Sequence, residues 1–113
     1  MTEAEDRFLH YAREHRKSSL ECNTAEINKA HALMVAALRE LRLTPDKGVA
    51  FLQNVVANED FGVAALAALY LLPYDPNRAI EVLEQIASAG IPRLSFRAEM
   101  TLQEWWGGRL RIE

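Results

Sequence analysis

The residues with chemical potential in this chain are few and scattered. Its three histidines stand at 10, 15 and 31, and its single cysteine at 22. His10 and Glu14 are four apart, so one helical face could present both, which is the smallest spacing for a two-ligand metal site. A catalytic zinc needs a third protein ligand, and neither an HExxH motif nor a second histidine pair supplies one. Cys22 lies just before the second predicted helix, where a helix N-terminus could lower its thiol pKa. A nucleophile also needs a positioned base, and none stands near it in sequence. Glu81 with Glu84 and Glu59 with Asp60 are paired carboxylates whose spacing fits solvated helix surface or helix N-termini better than acid–base work. Phosphate-binding loops of the P-loop and GxGxxG types and the GxSxG elbow are absent from the sequence. The expectation is a non-enzymatic protein with no catalytic residue, no cofactor and no metal.

Trp105 and Trp106 offer binding instead. Leu94, Ala98, Leu102 and Trp105 fall on one helical face, so Trp105 is expected in the core. Trp106 points about 100° away, in line with Glu99 and Gln103. It must pack beneath the C-terminal tail, stand partly exposed, or meet a partner. An exposed tryptophan is a favoured interface anchor, because it joins a large apolar area to a polar N–H.

The elements that would carry these residues are marked by their caps. Thr2 with Glu5 and Asn23 with Glu26 have capping-box spacing. Thr44-Pro45 and Asp75-Pro76 each place an N-cap residue before a proline suited to the first helical position. Asn58 precedes Glu59-Asp60, two acids suited to a helix start, and Gly90 and Gly107 read as C-terminal stops. These signals predict helices over about 2–19, 24–42, 45–57, 59–72, 76–89 and 93–106. Ile27, Ala30, Met34, Leu38 and Leu41 form the apolar stripe of the second helix, with His31 beside it as an expected core histidine. The fourth helix is apolar on nearly every side and is therefore expected to be buried. Strand alternation is missing throughout.

Composition agrees with one globular domain over residues 1–113: 50% of residues are hydrophobic and 26% charged. The net charge of -3 and a pI near 5.6 argue against general nucleic-acid binding, since the 13 Lys and Arg form no basic stripe. The acidic opening residues and an apolar run of only Val63 to Leu72 predict neither a leader nor a membrane span. A lone cysteine fits a reducing compartment, so the expected location is the cytoplasm.

The chain also repeats itself. Offsetting residue 45 onto 76 pairs Val49 with Ile80, Leu52 with Leu83 and Val55 with Ile86. The same offset then pairs Val63 with Leu94, Ala67 with Ala98 and Leu71 with Leu102. A repeated helix pair at this spacing points to a stacked α-solenoid. The expected fold is all-α, a right-handed α-α superhelix of three hairpins: a divergent one over 1–43 and repeat-like ones over 44–73 and 75–107. Val63-Ala64-Ala65-Leu66-Ala67-Ala68, Pro76, Ala79, Leu83, Ile86-Ala87 and Ser95-Phe96-Arg97-Ala98-Glu99-Met100-Thr101-Leu102-Gln103-Glu104-Trp105 with Gly108 resemble small bacterial HEAT-like domains of uncharacterised function. The resemblance spans about Thr44 to Arg111. Where that family carries an arginine after the valine opening the fourth helix, this chain has Ala64.

Such domains are similar to immunity proteins encoded beside bacterial toxins. The resemblance therefore implies an inhibitor that occludes a partner protein, with a basic toxin domain as the concrete case. In HEAT-like stacks the second helix of each hairpin lines the inner surface. That placement offers Arg97, Gln103 and Trp106 as contact residues, with Glu59, Asp60, Tyr74 and Asp75 added by the turns. The alternative is a self-associating structural or adaptor domain; the expected oligomeric state is a monomer or a weak homodimer.

Overall fold

The computed structural model describes residues 2–21 and 23–110, the side chain of Ser19 aside, and the described residues are helical with no strand. Six helices follow in order: α1 Glu3–Leu20, α2 Thr24–Leu41, α3 Val49–Val55, α4 Phe61–Leu71, α5 Pro76–Ser88 and α6 Leu94–Trp106. Each stands near its expected place, and their ends show which cap signals operate. Thr2 and Glu5 exchange both bonds of a capping box, Thr2 N–H to Glu5 Oε1 at 2.7 Å and Glu5 N–H to Thr2 Oγ1 at 3.2 Å. At α2 the Asn23 side chain accepts from the Glu26 N–H, while the Asn23 N–H donates back to the Ser18 carbonyl. One residue thus closes α1 and opens α2.

The chain divides into two compact units, Met1–Phe51 and Leu52–Glu113. In the first, α1 and α2 pack as a hairpin, with Arg7 of α1 ion-paired to Glu40 near the end of α2. Phe8, Ala12, Ala30, Met34 and Leu38 fill the unit's core, and the Phe8 and Phe51 rings meet edge to face at 5.7 Å. The core histidine is not the expected one. His31 is exposed at the margin of the α2 stripe, whereas His15 of α1 is 8% exposed, its ring centroid 6.0 Å from that of His31. His15 follows Phe8 and Ala12 at intervals of four and three, so the inward stripe of α1 takes the imidazole.

The start of α3 also departs from expectation. Thr44-Pro45 caps no helix. Residues 44–48 form a turn in which the Thr44 hydroxyl accepts from the Gly48 N–H and lies 2.7 Å from the Leu41 carbonyl. Lys47 and Gly48 both have positive φ, 56° and 75°, which ends any helical path from Pro45. Gly48 answers two demands at once: its φ is left-handed, and a Cβ there would stand 3.1 Å from the Leu41 Cβ. The helix begins after this turn, with Asp46 Oδ2 accepting from the Ala50 N–H.

In the second unit, α4 packs on α5 and α5 on α6, with α4 also reaching α6. After Phe61, every residue of α4 is buried or half-buried, as its all-round apolar sequence required. Residues matched by the 31-residue offset are buried in pairs: Leu52 and Leu83, Val55 and Ile86, Val63 and Leu94, Ala67 and Ala98, Leu71 and Leu102. The correspondence fails at the prolines, since Pro76 opens α5 while Pro45 lies in the turn.

Candidate functional site

The residues expected to meet a partner fall into three places in the second unit. Arg97, Gln103 and Trp106 are exposed on α6, whereas Leu94, Ala98 and Leu102 are buried. Trp106 is 62% exposed. Trp105, expected in the core, is half-buried. Gln103 donates through Nε2 to Glu99 Oε1 at 3.4 Å, one turn earlier on the same side.

Glu59 and Asp60 lie at the N-terminus of α4, and Tyr74 and Asp75 in the turn after its C-terminus. An 11-residue helix separates these groups by about 16 Å, so they do not form one patch. Both aspartates also have structural work. Asp60 Oδ1 accepts from the N–H groups of Gly62 and Val63, and Asn58 Oδ1 accepts from the Asp60 N–H, so Asp60 rather than Asn58 caps α4. Asp75 Oδ1 accepts from the Arg78 N–H, while its Oδ2 accepts from Gln53 Nε2 at 3.1 Å. Glu59 is exposed, and Tyr74 is partly exposed.

Two further residues belong to the α6 face. Phe96 is 66% exposed and Met100 38% exposed, one helical turn apart. Their signal was present in the sequence: they stand at i and i+4 on the side opposite Leu94, Ala98 and Leu102. The same apolar pairing that marks a core stripe elsewhere here marks an outward one.

The ends of α6 are held firmly. At its C-terminus the Arg109 N–H donates to the Glu104 carbonyl and the Gly108 N–H to the Trp105 carbonyl, a Schellman closure. The left-handed residue is Gly108, φ 71°, and not Gly107, the expected stop. At the other end, the buried Ser95 joins α6 to α5. Its hydroxyl donates to the Ile86 carbonyl at 2.7 Å and accepts from the Ile91 N–H at 2.8 Å. The two backbone groups that a Schellman closure of α5 would pair directly, across the left-handed Gly90, are instead joined through this hydroxyl.

In the first unit, His10 and Glu14 line a cleft of about 180 Å³ between α1 and α2, together with Tyr11, Ser18, Glu26 and Lys29. Among the described residues, no group of three His, Cys, Asp or Glu side chains is gathered as a metal site. Cys22 lies outside the described residues. No described helix is long and apolar enough to cross a membrane. No family model matches this chain, and no curated protein or solved structure matches it either.

Proposed function

We infer that the chain is a non-enzymatic protein-interaction module whose contact surface is the outward side of α6. The observation that supports this is the exposure of Phe96 and Trp106, both above 60%, with Met100 beside Phe96 on a helix whose opposite side is buried. Large aromatics left in water on a helix held by Ser95 at its start and by a Schellman closure at its end cost little ordering entropy when a partner covers them. They also match the aromatic anchors that dominate interface energetics. The polar residues Arg97, Glu99 and Gln103 would fix register and exclude wrong partners by charge.

The concrete form of the proposal is an inhibitor of the immunity type, occluding a toxin domain by steric cover. It rests on the resemblance to HEAT-like domains. The finer architecture belongs to the same proposal, namely stacking of the hairpins as a right-handed α-α superhelix. Its support is the 31-residue register, whose core positions are buried in pairs. Capture of partners by the tagged protein from its own host, run beside the Trp106→Ala variant, tests the reading. The expected outcome is one stoichiometric protein on the wild type and at least a roughly tenfold loss on the variant. A partner held equally by both, or no stoichiometric partner, would overturn it.

A further inference from the structure

The charges and apolar groups of α6 are arranged so that the face complements itself. Taking Phe96 as the origin and about 100° per residue, Met100 lies at about +40°, Arg97 at +100° and Glu104 at +80°, with Gln103 at −20° and Trp106 at −80°. Phe96 and Met100 therefore form the centre of the outward face. Arg97 and Glu104 flank it on one side and Trp106 on the other. Along the axis, Arg97 is near the start of the helix and Glu104 near its end. Neither Arg97 nor Glu104 makes an ion pair among the described residues.

A two-fold axis that relates two antiparallel helices inverts position along the helix and keeps each residue on its own flank. Placed at the level of Thr101, it sets Arg97 of one copy beside Glu104 of the other, twice, on one flank. Towards the opposite flank it sets Phe96 beside Trp106 of the second copy, also twice, and Met100 meets its own counterpart at the centre. A two-fold parallel pair would instead exchange the flanks. The Arg97 side of each copy would then meet the Trp106 and Glu99 side of the other, pairing Arg97 with Glu99 and leaving Glu104 out, so the two arrangements differ in which acid Arg97 meets.

We propose that the occupant of the α6 face is a second copy of this chain, docked antiparallel at the level of Thr101. This rests on the reading of α6 as the contact face and specifies a partner for it. The apolar area offered by Phe96, Met100 and Trp106 is on the order of 400 Å² per copy. A stable complex uses about 800 Å² per partner, so the homodimer is weak and exchanges with monomer. Such pairing would shield the aromatics at high concentration and leave the face open to a tighter partner.

Sedimentation equilibrium from about 10 µM to 1 mM tests this, with circular dichroism to verify helix content. The wild type is expected to dimerise in the upper part of that range. Arg97→Glu alone and Glu104→Arg alone should each weaken the dimer roughly tenfold, because two attractive pairs become repulsive. An equimolar mixture of the two variants should restore it, since both facing pairs of the mixed dimer again join opposite charges. A wild type that stays monomeric at about 1 mM, or a mixture that fails to recover, overturns the proposal. Loss of a captured host protein on Trp106→Ala is read separately, so the contact-face reading survives or fails on its own result.

Discussion

Ser95 shows how much one hydroxyl decides. It is buried, and it is the bridge by which the end of α5 and the start of α6 satisfy each other's backbone. Ser95→Ala should leave the Ile91 N–H without that acceptor and the Ile86 carbonyl with only the 3.1 Å bond from Ala89. The expected cost is about 1–3 kcal/mol, read as a lower urea midpoint with unchanged slope. A cost near zero would mean that the backbone closes directly without the hydroxyl. Trp106 is the opposite case. Its exposure predicts that Trp106→Ala shifts stability by less than about 0.5 kcal/mol while weakening partner binding, so the same variant separates contact from fold.

Among the elements, the turn before α3 carries a clear electrostatic signature. The Thr44 hydroxyl, then the Gly48 and Ala50 N–H groups, hold the Asp46 carboxyl below its ordinary value of 3.8, against a smaller opposing effect of burial. A depressed carboxyl favours the folded state when ionised. Its contribution is therefore present above 3.8 and lost as pH falls through the lower folded value. The stability difference between wild type and Asp46→Asn should accordingly be largest near neutral pH and shrink below 3.8. Urea denaturation at a series of pH values measures it, and a pH-independent difference would contradict the assignment. The same turn explains why the Thr-Pro signal misled at α3 and succeeded with Asp75-Pro76 at α5. The dipeptides are similar, but only the first is followed by two residues at positive φ, one of them pressed against Leu41.

At the scale of the molecule, each unit has its own buried leucines, Leu38 in the first and Leu83 in the second, at 0% and 1% exposure. Each Leu→Ala exchange should cost about 2–5 kcal/mol through lost transfer energy and the cavity left behind. Against the roughly 5–15 kcal/mol that holds a domain folded, either loss is severe. Chemical denaturation of both variants would check it, and a cost below about 1 kcal/mol would show that the site collapses around the missing methyls.

The helix count and most helix ends were legible in the chain because they depend on local chemistry. A capping box, a proline at the first turn or a left-handed glycine acts within four or five residues, and so does the 3.6-residue period that drew the stripe through Met34, Leu38 and Leu41. The site was legible in part. Trp106, Gln103 and Arg97 could be assigned outward because Leu94, Ala98 and Leu102 so plainly face inward. Phe96 and Met100 were legible only through that same inward stripe, since their apolar character alone would have placed them inside. Two matters were decided only by tertiary structure: the burial of His15 in place of His31 and the hydroxyl bridge of Ser95. Each depends on what lies across a turn or on a neighbouring helix. Burial and hydrogen-bond satisfaction belong to the packed helices, whereas caps and periodicity belong to the chain.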